Sequence, residues 1–174
     1  MRKLSSLVLM TTGIVVFGQN NLAKNDVLLF GYQASFEASD AVKSATLHHI
    51  EFAYSKVRFD DGRQRHPASY NYNFGTELIF NSSHFYVAPK LGFAFAGSGL
   101  CLGSDFLLYT DFKNVQPRLM PYFALGGSAF RLFVGYSMRL NKVDDFPINT
   151  LNVGLTVPLY NFSDKKFLFA KKSK

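Results

Sequence analysis

Apolar and polar side chains alternate along most of the chain with a period of two residues. In residues 70–80, Phe74 and Leu78 fall on one face of a predicted strand and Glu77 falls on the other, because successive side chains in a strand point to opposite sides. The alternation recurs between turn-rich stretches, and no segment shows the 3.6-residue period of a helix. The sequence therefore predicts eight strands, at residues 26–37, 47–59, 70–80, 85–96, 100–112, 117–126, 129–140 and 148–160.

An even number of alternating segments of about ten residues is typical of a membrane barrel, in which every second side chain faces lipid. The predicted fold is therefore all-β: a single eight-stranded antiparallel up-and-down transmembrane β-barrel. Pro89 and Pro121 fall inside predicted strands. Because proline removes a ladder hydrogen bond, we expect a bulge near each. A secreted soluble barrel or sandwich, which would bury the apolar face, remains the alternative.

The polar face of the predicted strands favours the membrane barrel. It is rich in glycine and alanine, which fits the narrow interior of an eight-stranded barrel. Its charges alternate in sign between neighbouring strands, and we expect Glu77, Lys90, Asp105 and Arg118 to lie side by side. Enclosed charges must be paired to be tolerated. The sequence thus predicts a lumen filled by an ion-pair network of Glu51, Glu77, Lys90, Asp105, Asp111, Arg118, Arg131 and Arg139. On a soluble barrel, the same residues would form a solvated outer surface.

The two ends of the chain differ from the barrel in composition. Arg2 and Lys3 precede an apolar stretch that ends in small residues, a pattern typical of a cleavable signal peptide. That stretch is too short to span a membrane as a helix. The predicted organisation is a signal peptide at residues 1–18, a polar lead-in at 19–25, the barrel at 26–162 and a basic flexible tail at 163–174.

Composition limits the possible functions. The 174 residues suffice for one domain, and the 16% aromatic content suits the aromatic girdles of a membrane barrel. The net charge of +7 falls to +1 without Arg2, Lys3, Asp164 and the five lysines of the tail. Nucleic-acid binding by the barrel is therefore not predicted. The single cysteine, Cys101, excludes an intramolecular disulfide.

The sequence shows no recognisable catalytic, cofactor or metal motif, so we predict no catalytic residues, no cofactor and no metal site. Two alternatives to a non-enzymatic role remain. A lipid A-modifying envelope hydrolase would need a Ser or Thr nucleophile, a histidine base and an acid, with His49 or His84 as the base. A narrow pore is the other, although eight strands leave little space inside.

Residues 1–162 resemble the small outer-membrane β-barrel proteins of Gram-negative bacteria, and Phe17-Gly18-Gln19 is similar to the leader endings of their Bacteroidota members. The resemblance implies a place in the cell outer membrane with both chain ends, including the lead-in, in the periplasm. It also implies a monomer with a structural or envelope-interaction role and no catalysis. The implied partners are outer-membrane lipid, lipopolysaccharide and the barrel-assembly machinery, which would read Tyr160 or Phe162 at the end of the last strand.

Overall fold

The computed structural model describes residues 22–37, 46–60, 68–80, 85–127, 129–141, 148–163 and 166–167. The predicted signal peptide, most of the predicted tail and His84 lie outside these residues.

The described residues form one antiparallel sheet that closes on itself. Its strands are β1 (Leu22–Phe36), β2 (Leu47–Asp60), β3 (Ala68–Phe80), β4 (Phe85–Gly97), β5 (Leu100–Thr110), β6 (Val115–Gly126), β7 (Arg131–Tyr136), β8 (Met138–Arg139), β9 (Leu151–Asn161) and β10 (Lys166–Phe167). Each of the first six strands pairs with the next in sequence, β7 pairs with β9, and β9 pairs back with β1. Strands β7 and β8 both pair with β6 and together make one barrel strand. The predicted all-β, eight-stranded antiparallel up-and-down barrel is confirmed.

The strands are strongly staggered around the barrel. Following the paired residues from Asn25 through all eight strands leads back to β1 at Ser35, ten positions further along. With eight strands, a stagger of this size corresponds to a strand tilt of about 40° and an interior just wide enough for side chains. We call the end where β1 begins the lower end, and the end where β1 finishes the upper end.

The inward and outward faces follow the predicted alternation. The polar face of each predicted strand points into the barrel, where Glu77, Lys90 and Asp105 are buried. The apolar face points outward, and large side chains such as Phe74 and Leu91 remain about half exposed, at 48% and 54%. A residue's place in the alternation therefore determines which side of the wall it occupies.

The prediction of a bulge at Pro89 and at Pro121 is wrong. Val87 pairs with Thr110 and Lys90 with Leu107, so the pairing is interrupted beside Pro89 but its register does not change. Pro121 is paired with Ser104 in the regular register. Each proline lacks one backbone N–H donor. The backbone hydrogen bonds of the residues on either side of it maintain the register. The register shift in the described pairings instead separates Leu28 from Leu29 on β1, opposite Pro158 of β9.

Strand pairing extends into the predicted lead-in and the predicted tail. β1 begins at Leu22, so residues 22–25 of the predicted lead-in pair with the end of β2. Lys166 and Phe167, which belong to the predicted tail, pair with Asn161 and Tyr160 of β9. The polar composition of both segments concealed these pairings, because strand pairing needs only backbone groups.

Candidate functional site

An apolar outer surface encircles the barrel. Exposed large hydrophobic side chains occur on all eight barrel strands, from Tyr32 on β1 to Leu155 on β9. Among the described residues, outward-pointing charges on β1 and β2 lie only near the lower end, at Lys24, Asp26, Lys56 and Arg58. The middle of the wall thus presents hydrocarbon on every side.

Aromatic side chains gather near both ends of this surface. At the lower end, the Phe162 ring lies 4.9 Å from that of Tyr160 and 5.9 Å from that of Tyr54. At the upper end, the His48 ring stacks between those of Tyr32 and Phe80, with centroid distances of 6.0 and 6.3 Å. Tyr and other amphipathic rings favour positions where apolar and wet surroundings meet.

A buried ion-pair cluster occupies the middle of the barrel interior. Lys90 Nζ lies 2.9 Å from Glu51 Oε1, 3.0 Å from Glu77 Oε1 and 3.1 Å from Asp105 Oδ2. The four side chains are no more than 3% exposed. Register brings them together, because Glu51 is paired directly with Glu77, and Lys90 lies on the next strand. One ammonium group is therefore shared by three carboxylates on three strands.

Glycines make room for this cluster. Gly31 is paired with Glu51, and a Cβ there would lie 2.8 Å from Glu51 Oε2. Gly92 is paired with Asp105, and a Cβ there would collide with Asp105 Oδ1. The small residues that indicated a narrow interior thus lie where the charged side chains cross it.

Arg131 joins the cluster from β7. Its Nη2 lies 3.9 Å from Glu51 Oε1, its Nη1 donates a hydrogen bond of 2.7 Å to the Tyr122 hydroxyl, and its Cζ lies 4.9 Å from the centre of the Tyr122 ring. The structure therefore brings together five of the eight residues predicted for the network: Glu51, Glu77, Lys90, Asp105 and Arg131.

A hydrogen-bonded chain of polar side chains extends the cluster upward. Ser35 Oγ lies 2.9 Å from His49 Nε2, and His49 Nδ1 lies 3.2 Å from Glu77 Oε2. Gln33 Nε2 donates a 2.6 Å hydrogen bond to the same Glu77 oxygen. The sequence-based prediction did not include Gln33 and Ser35. Their inward orientation could have been predicted from the alternation, because both lie on the face of β1 opposite Phe30, Tyr32 and Phe36.

Three predicted members of the network lie elsewhere. Arg118 is buried and, like Lys90, is paired with Leu107. The tilt of the strands raises paired positions from β4 to β6, so Arg118 lies above Lys90 and forms no ion pair with the cluster among the described residues. Asp111 follows the end of β5 and accepts hydrogen bonds from the amides of Lys113 and Asn114. These two hydrogen bonds lower the pKa of the Asp111 carboxyl, and the bond from the Asn114 amide has the larger effect. Arg139 is exposed at the upper end. These three residues share the predicted inner face with the cluster, but a common face does not guarantee a common height.

Apolar layers lie above and below the cluster. The upper layer contains Leu47, Ile79, Tyr86, Leu107 and Ile148, and the lower layer contains Val27, Leu29, Ala53 and Val57. Buried polar side chains lie at both levels as well, among them Asn73 below the cluster and Asn149 above it.

No group of three or more His, Cys, Asp and Glu side chains within the described ranges could hold a metal ion. Those ranges contain no helix with the length and apolar character needed to cross a membrane. Comparison of the chain with protein-family models, curated proteins and solved structures found no match.

Proposed function

We propose that this chain is an outer-membrane β-barrel protein with a structural or envelope-interaction role and a lumen filled by side chains. The observation that carries the proposal is the apolar surface that surrounds the barrel, with side chains such as Leu102 and Val134 at least half exposed. Soluble monomers rarely expose contiguous apolar patches larger than a few hundred Å², whereas a closed barrel in lipid satisfies every backbone group internally.

The packed interior favours a structural role over transport. Lys90 ties together carboxylates from β2, β3 and β5, and a one-residue slip of any of these strands would move its charged side chain to the apolar face. The cluster therefore specifies one register of the wall. A rigid wall of this kind can present its connecting loops to the cell exterior while its surface contacts lipid and lipopolysaccharide.

The experiment is fractionation of cells that express the full chain, combined with heat-modifiable gel mobility. We expect the mature protein in the outer-membrane fraction, migrating faster before heating than after, because a closed barrel resists unfolding in detergent. A variant without residues 1–18 is the control and should stay out of the envelope. Recovery of the mature protein only as a soluble periplasmic species would overturn the membrane assignment.

A second candidate function, hydrolysis of an envelope lipid, rests on one observation. Ser35, His49 and Glu77 follow one another at 2.9 and 3.2 Å, the order of nucleophile, base and orienting acid in a hydrolytic triad. All three are fully buried, so a lipid would reach Ser35 only if the upper apolar layer opened. The test is mass spectrometry of lipid A after overexpression of the wild-type and Ser35→Ala proteins, with His48→Gln as a matched control. Unchanged spectra with the wild-type protein would remove this candidate.

A narrow pore is the weakest candidate, because the charged cluster fills the interior between two apolar layers. Correctly folded protein should give no discrete conductance in planar bilayers. Stepwise currents that Lys90→Met alters would favour the pore instead.

A further inference from the structure

Arg118 is a buried cation without a carboxylate partner among the described residues. Its Nε donates a 2.8 Å hydrogen bond to Gln116 Oε1, and its Nη1 donates one of 3.2 Å to the backbone oxygen of Asn149. Its Nη2 is buried and has no acceptor. A buried charge is tolerated when an opposite charge compensates for the lost hydration. The Glu37 carboxylate interacts electrostatically with Arg118 but forms no ion pair with it among the described residues, so the Arg118 charge is only partly compensated.

Further donors surround Arg118. Its Cζ lies 5.6 Å from the centre of the Tyr109 ring, and the buried Tyr109 hydroxyl lies close to that of Ser137. At most one of these two hydroxyls can donate its hydrogen to the other, so at least one donor is left for a ligand. Arg139 is paired directly with Arg118 across β6 and β8, and like charges in directly opposite positions are destabilising. The upper mouth of the barrel thus combines two positive charges with unused donors.

The described acids near this mouth have other partners. Asp111 accepts hydrogen bonds from the turn amides of Lys113 and Asn114. Glu37 Oε1 accepts one from the Thr150 hydroxyl at 3.3 Å. The central carboxylates surround Lys90, and among the described residues none of them forms an ion pair with Arg118.

We propose that the upper mouth of the barrel binds a phosphate group between Arg118 and Arg139, with the hydroxyls of Tyr109 and Ser137 as additional donors. A guanidinium group matches the geometry of phosphate oxygens and can bind two of them at once. Arg139 is exposed to solvent and provides the route of entry. The group belongs either to free inorganic phosphate or to the head group of a membrane lipid. Only the lipid source rests on the proposed membrane location.

The first test uses folded wild-type protein in a maltoside detergent, which contains no phosphate. Inorganic phosphate is titrated at constant ionic strength against chloride, and the midpoint of thermal unfolding is measured. We expect the midpoint to rise with phosphate in the wild type and to stay constant in Arg118→Gln. Arg139→Gln should weaken the apparent affinity about tenfold, since a hydrogen bond to a charged group contributes about that much. Arg58→Gln, at the lower end, is the matched control and should behave as wild type.

The second test separates the two sources of phosphate. Lipid A and the same lipid without its phosphate groups are added to the micelles in phosphate-free buffer. Stabilisation by lipid A alone identifies a lipid head group, and stabilisation by inorganic phosphate identifies the free ion. No response to either ligand, or an equal response in wild type and Arg118→Gln, would overturn the site. Because the micelle titration does not depend on cellular location, its result is independent of the fractionation experiment.

The chain itself offers competing carboxylates, because Asp144 and Asp145 follow β8 in the sequence and lie outside the described residues. A variant that carries Asp144→Asn and Asp145→Asn tests this. If phosphate stabilises this variant but not the wild type, the internal carboxylates occupy the mouth and the proposal fails for the native chain. Heat-modifiable mobility of every variant confirms that it has folded before titration.

Discussion

Lys90 and Arg118 are both buried cations on the inner face of the same barrel wall, yet their surroundings differ. Lys90 has three carboxylates within 3.1 Å, whereas Arg118 contacts an amide, a backbone carbonyl and a tyrosine ring. Both cations are paired with Leu107, so register alone does not separate them. The tilt of the strands raises paired positions from β4 to β6, which leaves Asp105, two residues below Leu107, closer in height to Lys90 than to Arg118. Strand alternation thus selects the side of the wall, and register together with strand tilt selects the neighbours.

The largest predicted effect comes from the same substitution at the two cations. Lys90→Met leaves Glu51, Glu77 and Asp105 facing one another, and loss of one partner from a buried charge cluster costs about 3–5 kcal/mol. Arg118→Met, measured without phosphate, removes a buried cation that forms no ion pair among the described residues and should be neutral or stabilising. Unfolding by urea of the protein folded in lipid vesicles measures both free energies.

The control for this pair is Lys56→Met, which changes an exposed lysine and should have little effect. If Lys90→Met and Arg118→Met cost the same, the two cations are equivalent and the contrast between them is wrong. A large cost for Arg118→Met alone would indicate that an acid of this chain already pairs with it.

The second prediction concerns Leu91, the residue beside Lys90 on the opposite side of the wall. Leu91→Arg places a charge on the outer surface, where the side chain is 54% exposed, and should cost about 2–4 kcal/mol if this position lies near the middle of a bilayer. Val115→Arg, closer to the upper end, should cost less because the penalty falls toward the interface. Equal costs for both in lipid vesicles would contradict a membrane position.

Cysteines placed singly at positions 90 and 91 test the same assignment by accessibility. Because Lys90→Cys also removes the central cation, heat-modifiable mobility first confirms that this variant has folded. A water-borne thiol reagent should not reach position 91 in lipid. Reaction at position 91 together with shielding at position 90 would reverse the inside and outside of the wall. Shielding at both positions agrees with a closely packed interior and excludes an open pore.

The sequence predicted the architecture well because alternation is a local property. It placed Glu77, Lys90 and Asp105 inside and Leu91 outside, as observed. It failed where the outcome depended on pairing between strands. Arg118 shares the inner face with Asp105, but only the register shows that Leu107 lies opposite it. Asp111 continues the alternation of β5 beyond Thr110, where the strand has already ended. Ser35 was missed because nothing in β1 alone shows that His49 is its neighbour.

The third prediction tests the space that glycine leaves beside the Lys90 cluster. Gly92→Ala would place a methyl group against the Asp105 carboxylate, and such overpacking costs about 1–3 kcal/mol. Gly97→Ala, on the same strand, is the matched control because its nearest neighbour, a Phe95 ring carbon, would lie 3.9 Å from the added Cβ. Urea unfolding should separate the two variants. A neutral Gly92→Ala would mean that Asp105 can move away from Lys90 freely.

The smallest predicted effect concerns Asp111. The sequence predicted it as a member of the ion-pair network, but in the structure it caps the turn between β5 and β6. Hydrogen bonds from the amides of Asn114 and Lys113 lower the pKa of its carboxyl in the folded state. A lowered folded-state pKa means that the carboxylate contributes stability above the ordinary aspartate pKa of about 3.9, and that this contribution is lost as the pH falls through the lowered value. Asp111→Asn keeps an acceptor oxygen but does not titrate there. The difference in unfolding midpoint between wild type and Asp111→Asn should therefore be constant at neutral pH and shrink below about pH 4.

Repeating the measurement in an Arg118→Gln background decides whether the turn and the upper mouth are separate. If Asp111 serves only the turn, its pH dependence stays the same in that background, whereas a change would make Asp111 the missing acid of Arg118 and leave no place for a bound phosphate.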